Sequence, residues 1–404
     1  MESFSFFRKN RIYADAAASM PMTAHAKREL VRLIELSGNP SALHREALAA
    51  KKELDSARER VAKAIGAHAD EIIFTSGGTE ANNLAIFGTL RGRERAHAVT
   101  SAIEHSSVLE PLRALAAEGA QVTELPVDVE GKIDIKDLRE ALNLDTALVS
   151  IQMINSEIGT IQDIREVAKT IRHARTLRQA QGEKQHIYFH VDASQAPLWL
   201  PLRVDHLGID LLTLDGQKLG GPRGVGMLYV RRGSTLTPYI YGGGQEAGLR
   251  SGTENVALIG AFAAAFEDAQ KDAEENAKRT AEVRNYLFDR IEKEIPGVRL
   301  NGAPIGLEVH HSARVANNIN VCIPGLNGDM AVVALNVHGV AASTRSACDT
   351  DEEAPSHVLA AIGLSPQAAK DSIRLTLLPT ATKADADRIV KALEKVAARY
   401  RQAQ

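Results

Sequence analysis

Lys218 stands between an apolar run and a glycine-rich turn, in Leu211-Leu-Thr-Leu-Asp-Gly-Gln-Lys-Leu-Gly-Gly-Pro-Arg-Gly-Val-Gly-Met-Leu-Tyr-Val230. The pattern reads as a strand, a lysine, a Gly/Pro turn and a second strand from Val225. Such a turn presents an amine at a strand end, where a carbonyl compound can condense with it as a Schiff base. A solvated strand-end lysine has the same local pattern, so the remaining polar residues must separate the two readings.

Several of them could serve one site. Thr75-Ser-Gly-Gly-Thr-Glu80 follows a strand and opens a helix. Gly77 and Gly78 would let backbone N–H groups approach an anion there, and Thr79 adds a hydroxyl donor. An N-cap turn without a ligand would look similar. His190-Val-Asp-Ala-Ser-Gln195 puts Asp192 at the carboxyl end of a strand with Gln195 close behind. A carboxylate there can keep a pyridine nitrogen protonated, although capping the next turn would explain Asp192 alone. His105 follows another strand and has the type that lies on an aromatic ring and exchanges protons near neutral pH. Asn155, in Asn155-Ser-Glu-Ile-Gly159, can orient a ring substituent or a carboxylate, and turn chemistry accounts for it equally well. Arg374 alternates with apolar residues in Ser372-Ile-Arg-Leu-Thr-Leu377, so it wants a carboxylate partner from protein or substrate. Cys348 has polar and charged neighbours, the surroundings of an exposed reactive thiol rather than of a packed one. Cys322 lies in an apolar strand and reads as a small buried hydrophobe.

The elements that would position these residues alternate. Strands are expected at Ile72–Phe74, Ala98–Ser101, Val122–Leu125, Ala147–Gln152, Ile187–Val191, Leu211–Leu214 and Gly226–Val230, with helices between them at His44–Ile65, Val108–Glu118 and Ile164–Ala174. Strand–helix alternation implies an α/β fold whose mostly parallel central sheet is covered on both faces. Ligands in such sheets bind beyond the carboxyl ends of the strands. A long helical pattern from Asn255 to Ile295 reads as a connector, and shorter strands and helices after Pro296 read as a smaller α/β domain. This gives a large domain over 12–256 and a small one over 257–404 that takes in residues 1–11. The polar run Thr176–Gln185 reads as a surface loop.

The chain has 404 residues, 44% hydrophobic and 25% charged, which suits a folded protein with a large core. A net charge of −3 excludes a strongly basic nucleic-acid or membrane surface. The longest apolar stretch, Val256–Phe266, is too short to span a bilayer, and the first residues do not resemble a signal peptide. Two cysteines cannot make a disulfide framework, and no Cys/His spacing suggests a resident metal. A reducing cytoplasm is the expected compartment.

Taken in order, these motifs resemble the cysteine desulfurases, pyridoxal phosphate enzymes of the class V aminotransferase group with fold type I. The resemblance begins at Tyr13-Ala-Asp-Ala-Ala-Ala and Gly38-Asn-Pro-Ser-Ala-Leu-His44. It runs through Phe74-Thr-Ser-Gly-Gly-Thr-Glu-Ala-Asn-Asn-Leu84, Glu104-His105, Asn155-Ser-Glu-Ile-Gly159, His190-Val-Asp-Ala-Ser-Gln195 and Lys218. It continues with Gly242-Gly-Gly-Gln-Glu246 and Arg250-Ser-Gly-Thr-Glu-Asn255, and ends at Ser346-Ala-Cys348 and Ser372-Ile-Arg374. It implies that Lys218 holds pyridoxal 5'-phosphate as a Schiff base and later removes the substrate Cα proton. Asp192 would pair with the ring nitrogen, Gln195 and Asn155 would hold the ring, and His105 would stack on it. Gly78, Thr79 and Gln217 would bind the phosphate, joined by Thr253 of a second subunit in a homodimer. Arg374 and Asn155 would bind the carboxylate of L-cysteine. Cys348 would take the sulfur as a persulfide, releasing L-alanine, and pass it to an acceptor such as an iron–sulfur scaffold or tRNA thiolation. A transient iron–sulfur contact at Cys348 is the one metal contact this scheme allows. No nucleic acid or membrane contacts the enzyme directly in it.

The chain departs from the family pattern beside the lysine. Gln217 replaces the usual histidine, and Asp215 replaces a Ser or Thr that helps bind phosphate. Two like unit charges about 4 Å apart repel by about 1 kcal/mol in water and about 4 kcal/mol at an effective dielectric of 20. Arg345 stands where a loop glycine is common, and Ala247 where an arginine is common. The alternatives are a selenocysteine lyase or another class V lyase or aminotransferase, for which Cys348 has less use, and a pyridoxal phosphate-binding homologue with weakened catalysis.

Overall fold

The computed structural model describes residues 11–183, 185–306, 313–344 and 356–402. The chain opens with strand β1 (Ile12–Tyr13) and helices α1 (Ala24–Leu33) and α2 (Arg45–Ile65). Next come β2 (Ile72–Thr75), α3 (Gly78–Leu90), β3 (His97–Ser101), α4 (Ser106–Ala117), β4 (Gln121–Leu125), α5 (Ile135–Ala141) and β5 (Thr146–Gln152). They are followed by α6 (Ile164–Ala180), β6 (Tyr188–Asp192), α7 (Val204–Leu207), β7 (Leu211–Asp215) and β8 (Gly226–Val230). The second half holds α8 (Val256–Lys271), α9 (Ala273–Glu294), β9 (Arg299–Leu300), β10 (Asn318–Cys322), α10 (Gly328–Val337) and β11 (Val340–Ala341). It closes with α11 (His357–Ala361), α12 (Pro366–Lys370), β12 (Ser372–Thr376) and α13 (Lys383–Gln402).

Seven strands form one sheet in the order β2-β8-β7-β6-β5-β3-β4. The run from β7 to β4 is parallel, and β8 is antiparallel to both neighbours. The inner strands are continuous apolar runs because both faces are covered; every residue of β5 is buried. The two-residue period sorts their side chains. Leu212 and Leu214 of β7 enter a core shared with α2, α6 and α8, whereas Leu211 enters a second layer against α3 and α4. Helix α3, between the sheet and α4, is buried nearly all round, including Asn82 at 1% exposure.

A separate core gathers Leu335 of α10, Leu375 of the antiparallel sheet β12-β10-β9, and Leu393 of α13. Ile12 and Ala14 belong to it, and β1 pairs in parallel with β11. Ala277 and Ala281 of α9 still pack in the first core, whereas Val283, Leu287 and Ile291 pack in the second. Helix α8 lies wholly in the first core, against α1 and α2. A boundary at residue 257 would cut α8 from these partners, and we propose instead that the two domains divide within α9.

The expected loop Thr176–Gln185 is a correction. Helix α6 continues to Ala180, because Arg178 folds back and donates to the carbonyl of Thr146 at 2.7 Å, tying the last turn to β5. Its guanidinium is buried, which a polar-run reading cannot anticipate. Cys322 is buried at 1% exposure, as its strand context predicts. Among the described residues no helix is long and apolar enough to cross a membrane.

Candidate active site

The parallel strands deliver their last residues to one edge of the sheet. Gln152 ends β5, Asp192 ends β6 and Asp215 ends β7, while Glu104 and His105 follow β3. A cavity there is lined by Gly78, Thr79, His105, Asp192, Gln195, Gln217, Lys218 and Arg374, all expected from the sequence. Its other walls come from Ala17, Ala18, Asn82, Ser107, Gln152, Ile154, Ser156, Ser194 and Asp215.

Lys218 lies in a 3₁₀ turn, Gly216–Lys218, directly after β7. Its Nζ donates to the carbonyls of Ala17 at 2.9 Å and Ala18 at 2.7 Å. The Ala17 carbonyl also accepts from Gln195 Nε2 at 2.9 Å. The Ala17 N–H donates to Thr376 Oγ1, and the Met20 N–H donates to the Gln217 carbonyl. The segment after β1 therefore straps the second core across the lysine turn. Side-chain chemistry could not reveal these holders, since backbone carbonyls do the work.

Asp192 is held by both oxygens. Oδ1 accepts the Ser194 N–H at 3.0 Å and Oδ2 accepts Asn82 Nδ2 at 2.8 Å. The same Asn82 amide donates to Ser107 Oγ at 2.8 Å. Ser107 contacts His105 Nδ1 through its hydroxyl at 2.8 Å and its backbone N–H at 3.0 Å. A backbone N–H can only donate, so Nδ1 is the acceptor and the neutral ring carries its proton on Nε2. His105 is also the N-cap of α4, which fixes the ring. Neither Asn82 nor Ser107 was singled out from sequence. An asparagine inside the apolar run of α3 was the available signal, because a buried amide must find partners.

Glu104 is fully buried behind this network. Its Oε1 accepts from Ser101 Oγ at 2.5 Å and from the Gln152 N–H at 3.0 Å, while Oε2 has no partner among the described residues. Burial, with a smaller push from the Asp192 charge, raises its pKa to about 8. At neutral pH Glu104 is therefore mostly neutral. His190 bridges Ser150 Oγ and Thr213 Oγ1, at 2.8 and 3.0 Å. Burial pushes its pKa down to about 4, so it stays neutral and structural.

The other end begins at α3. Gly77, at φ 156°, brings the chain into the helix, and a Cβ on Gly78 would lie 3.1 Å from Asp215 Cβ and 3.3 Å from both Asp215 Oδ2 and Ser194 Oγ. The opening of α3 is thus a shallow cradle with the Asp215 carboxylate on its rim. Asp215 accepts the Gln217 N–H at 3.1 Å and Gln217 Nε2 at 3.3 Å. One donor of the Gln217 amide is therefore turned to Asp215.

Arg374, on β12, has a side chain 1% exposed. Nη2 pairs with Asp15 Oδ1 at 2.8 Å, Nη1 donates to the Ser156 carbonyl at 3.1 Å, and Nε is buried without a partner among the described residues. Asn155, expected to touch ring or substrate, is not among the residues that line the cavity, although its neighbours Ile154 and Ser156 are. Its Nδ2 donates to the Ile103 carbonyl and its Oδ1 accepts the N–H groups of Glu157 and Ile158, each at 2.9 Å. The amide is used to build the turn that sets Ile154 and Ser156 in the wall. Thr253 lies in a second pocket with Ser76, Glu246 and Arg250, away from Lys218 of its own chain. Arg250 is fastened to Glu80, at the start of α3, at 2.9 Å. Cys348 and Arg345 fall outside the described residues.

This donor set fits pyridoxal phosphate at three points. Lys218 supplies an amine, Asp192 a fixed carboxylate for the ring nitrogen, and the Gly77–Gly78 opening an anion cradle that a Cβ would fill. Among the described residues at the opening of α3, the Asp215 carboxylate is the group that opposes a phosphate.

The aminotransferase class-V family model matches residues 12–389. Cysteine desulfurase IscS of Dictyoglomus turgidum is 41% identical over 399 residues, covering 97% of this chain and 96% of that protein. Cysteine desulfurase IscS of Methanosarcina thermophila is 37% identical, covering 96% and 93%. Among solved structures, a NifS-like protein matches with a TM-score of 0.84 and 32% identity over 96% of this chain and 99% of its own. SspA in complex with cysteine matches with a TM-score of 0.77 and 34% identity, over 92% and 100%.

Proposed function

We propose, for a chain that belongs to the class-V aminotransferase family and is a cysteine desulfurase, that the cavity around Lys218 is where L-cysteine is desulfurated. The observation that carries this placement is the convergence of Lys218, Asp192, His105 and Arg374 on one wall set. Pyridoxal phosphate, when bound, supplies an electron-withdrawing ring that stabilises negative charge at the substrate Cα.

Lys218 is the residue to bind its carbonyl carbon and, once released, to move the Cα proton. The Ala17 and Ala18 carbonyls hold its amine in place meanwhile. Asp192, with both oxygens held, would be the carboxylate partner of the ring nitrogen. His105, an acceptor at Nδ1, would hold its proton at Nε2 and lines the same cavity. Gln195 fixes the wall on the Ala17 side. Arg374 offers its guanidinium to the substrate carboxylate and is kept in position by Asp15. Asn155 acts by shaping the wall rather than by touching the ring. Gly78, Thr79 and Gln217 hold the phosphate end.

The Cys348 thiolate then attacks the substrate sulfur. An S–S bond forms, the C–S bond breaks toward Cβ, and protonation of that carbon leaves L-alanine and a persulfide on Cys348. We place Thr253 in the neighbouring subunit's cavity of a homodimer, since it does not reach Lys218 of its own chain. The acceptor is a sulfur-carrying protein of iron–sulfur assembly or tRNA thiolation, and the compartment is the cytoplasm.

Borohydride treatment of protein loaded with pyridoxal phosphate should fix the cofactor's mass to the peptide holding Lys218. A reduced adduct on a different lysine would overturn the assignment. Cys348→Ser should bind cofactor and cysteine but form no protein persulfide, read by intact mass. Sulfide release at the wild-type rate from that variant would remove Cys348 from the scheme.

A further inference from the structure

We propose that Asp215 makes this cavity a receptor for a phosphate monoester that keeps one proton, shared between an ester oxygen and the Asp215 carboxylate. The inference rests on the cofactor reading above and adds the protonation state that the chain selects.

The position of the carboxylate carries it. Asp215 Oδ2 lies 3.3 Å from where a Cβ on Gly78 would stand, so it borders the first residue of α3. From below, β8 offers only Gly226, whose own Cβ would meet the Gly77 backbone at 2.7 Å. The hydrogen bonds that Asp215 accepts among the described residues come from the Gln217 N–H at 3.1 Å and the Gln217 amide at 3.3 Å, both neutral donors. Gln217 thus orients the carboxylate and leaves its charge in place.

Among the described residues, the charged and titratable groups around it have hydrogen-bond partners of their own. Lys218, on the same turn, donates to Ala17 and Ala18, and Glu80 of α3 pairs with Arg250. Across the cavity, Asp192 is held by Asn82 and Ser194, His105 by Ser107, and Arg374 by Asp15. An ester oxygen placed in the cradle therefore meets an oxyanion.

Two adjacent oxyanions do not both stay deprotonated; one of them takes a proton. A phosphate monoester has its second pKa at about 6, so keeping that proton near pH 7 costs about tenfold in the competent population. The proton turns the contact into an O–H···O⁻ hydrogen bond, a strong class of interaction. A serine or threonine at this position would instead donate to the dianion and leave binding without proton uptake.

The sign of the linkage follows. The complex holds one proton more than the free dianion, so affinity is flat below about pH 6 and falls by up to tenfold per pH unit above it. The probe is pyridoxine 5'-phosphate on the apo-protein, because it has the phosphate and ring but no aldehyde for Lys218. Its Kd would be measured from pH 6 to 9 for wild type, Asp215→Ser and the near-isosteric Asp215→Asn, with phosphorus NMR of the bound ester. The ratio of the wild-type Kd to that of either variant should rise by up to tenfold per pH unit. The bound ester should resonate as the monoanion in wild type and as the dianion in the variants. Parallel pH curves, or a dianion resonance in wild type, would overturn the inference and leave the cofactor reading standing. No binding of the probe to wild type at any pH would overturn both.

Discussion

Asp192 and Asp215 end adjacent parallel strands with nearly the same local geometry and opposite consequences. Each accepts the backbone N–H two residues on, at 3.0 and 3.1 Å, and each accepts a side-chain amide, from Asn82 at 2.8 Å or Gln217 at 3.3 Å. On the proposed function, Asp192 lies where the ring nitrogen of the cofactor would need a negative partner. Asp215 faces the amide cradle of α3, where a negative group is expected to arrive. The strand-end turn fixes how a carboxylate is held, and what lies across the cavity decides whether its charge helps. The supports differ as well. Asn82 comes from a buried helix and extends to Ser107 and His105, whereas Gln217 is a neighbour on the same turn.

The largest effect should come from removing the useful charge. Asp192→Asn keeps the shape but not the charge, and should lower the rate of alanine formation from cysteine on the order of 10²- to 10³-fold. A loss of less than fivefold would mean that the two aspartates are not the opposites described. Next is the support of Asp192. Asn82→Ala removes a hydrogen bond to a charged group, about 1.5–3 kcal/mol, so activity should fall by one to two orders of magnitude. In an Asp192→Asn background the same change should cost far less, because the two act as one unit. Equal losses in both backgrounds would separate them.

Glu104 tests whether burial keeps a carboxyl neutral behind Asp192. Its pKa rises from the ordinary 4.5 to about 8 on folding, so between those values the folded state binds more protons than the unfolded state. Its contribution to stability is therefore complete below about pH 4.5 and is lost progressively as pH rises to about 8. Glu104→Gln should flatten that part of the profile, read as the urea midpoint at several pH values. An unchanged slope would show that Glu104 is ionised in the folded protein. The smallest effect belongs to Gln217→His. A protonated imidazole beside Asp215 should tighten phosphate-ester binding a few-fold below about pH 6.5 and change little above it. Tightening that is independent of pH would place the side chain away from Asp215.

The fold was legible where a pattern reported a single cause. Buried parallel strands appear as apolar runs, and the seven strands of the large sheet fall within a residue or two of their expected limits. The helical segment from 255 to 295 did not show which core each part enters: α8 packs in the first core and α9 is shared between the two. The end of α6 was misread because Arg178 counts as polar in a pattern, yet buries its guanidinium on backbone carbonyls. In the cavity, Gly78, Thr79, His105, Asp192, Gln195, Lys218 and Arg374 could be picked by type and place, and Gln217 through the family resemblance; all of them line one space. Asn155 could not be judged from its type, since an amide builds a turn or meets a ligand with the same atoms.

By itself the sequence determined which reactive groups this protein owns and which strand ends carry them, because strand periodicity and glycine-rich turns are local properties of the chain. It also marked Asp215 and Gln217 as unusual. Only the tertiary structure decided how those groups are held. The Ala17 and Ala18 carbonyls reach Lys218 from some 200 positions away in the chain, and Asn82 ties Asp192 to Ser107 beside His105. Hydrogen-bond partners and buried charge depend on what packing brings near, and no spacing along the chain records that distance.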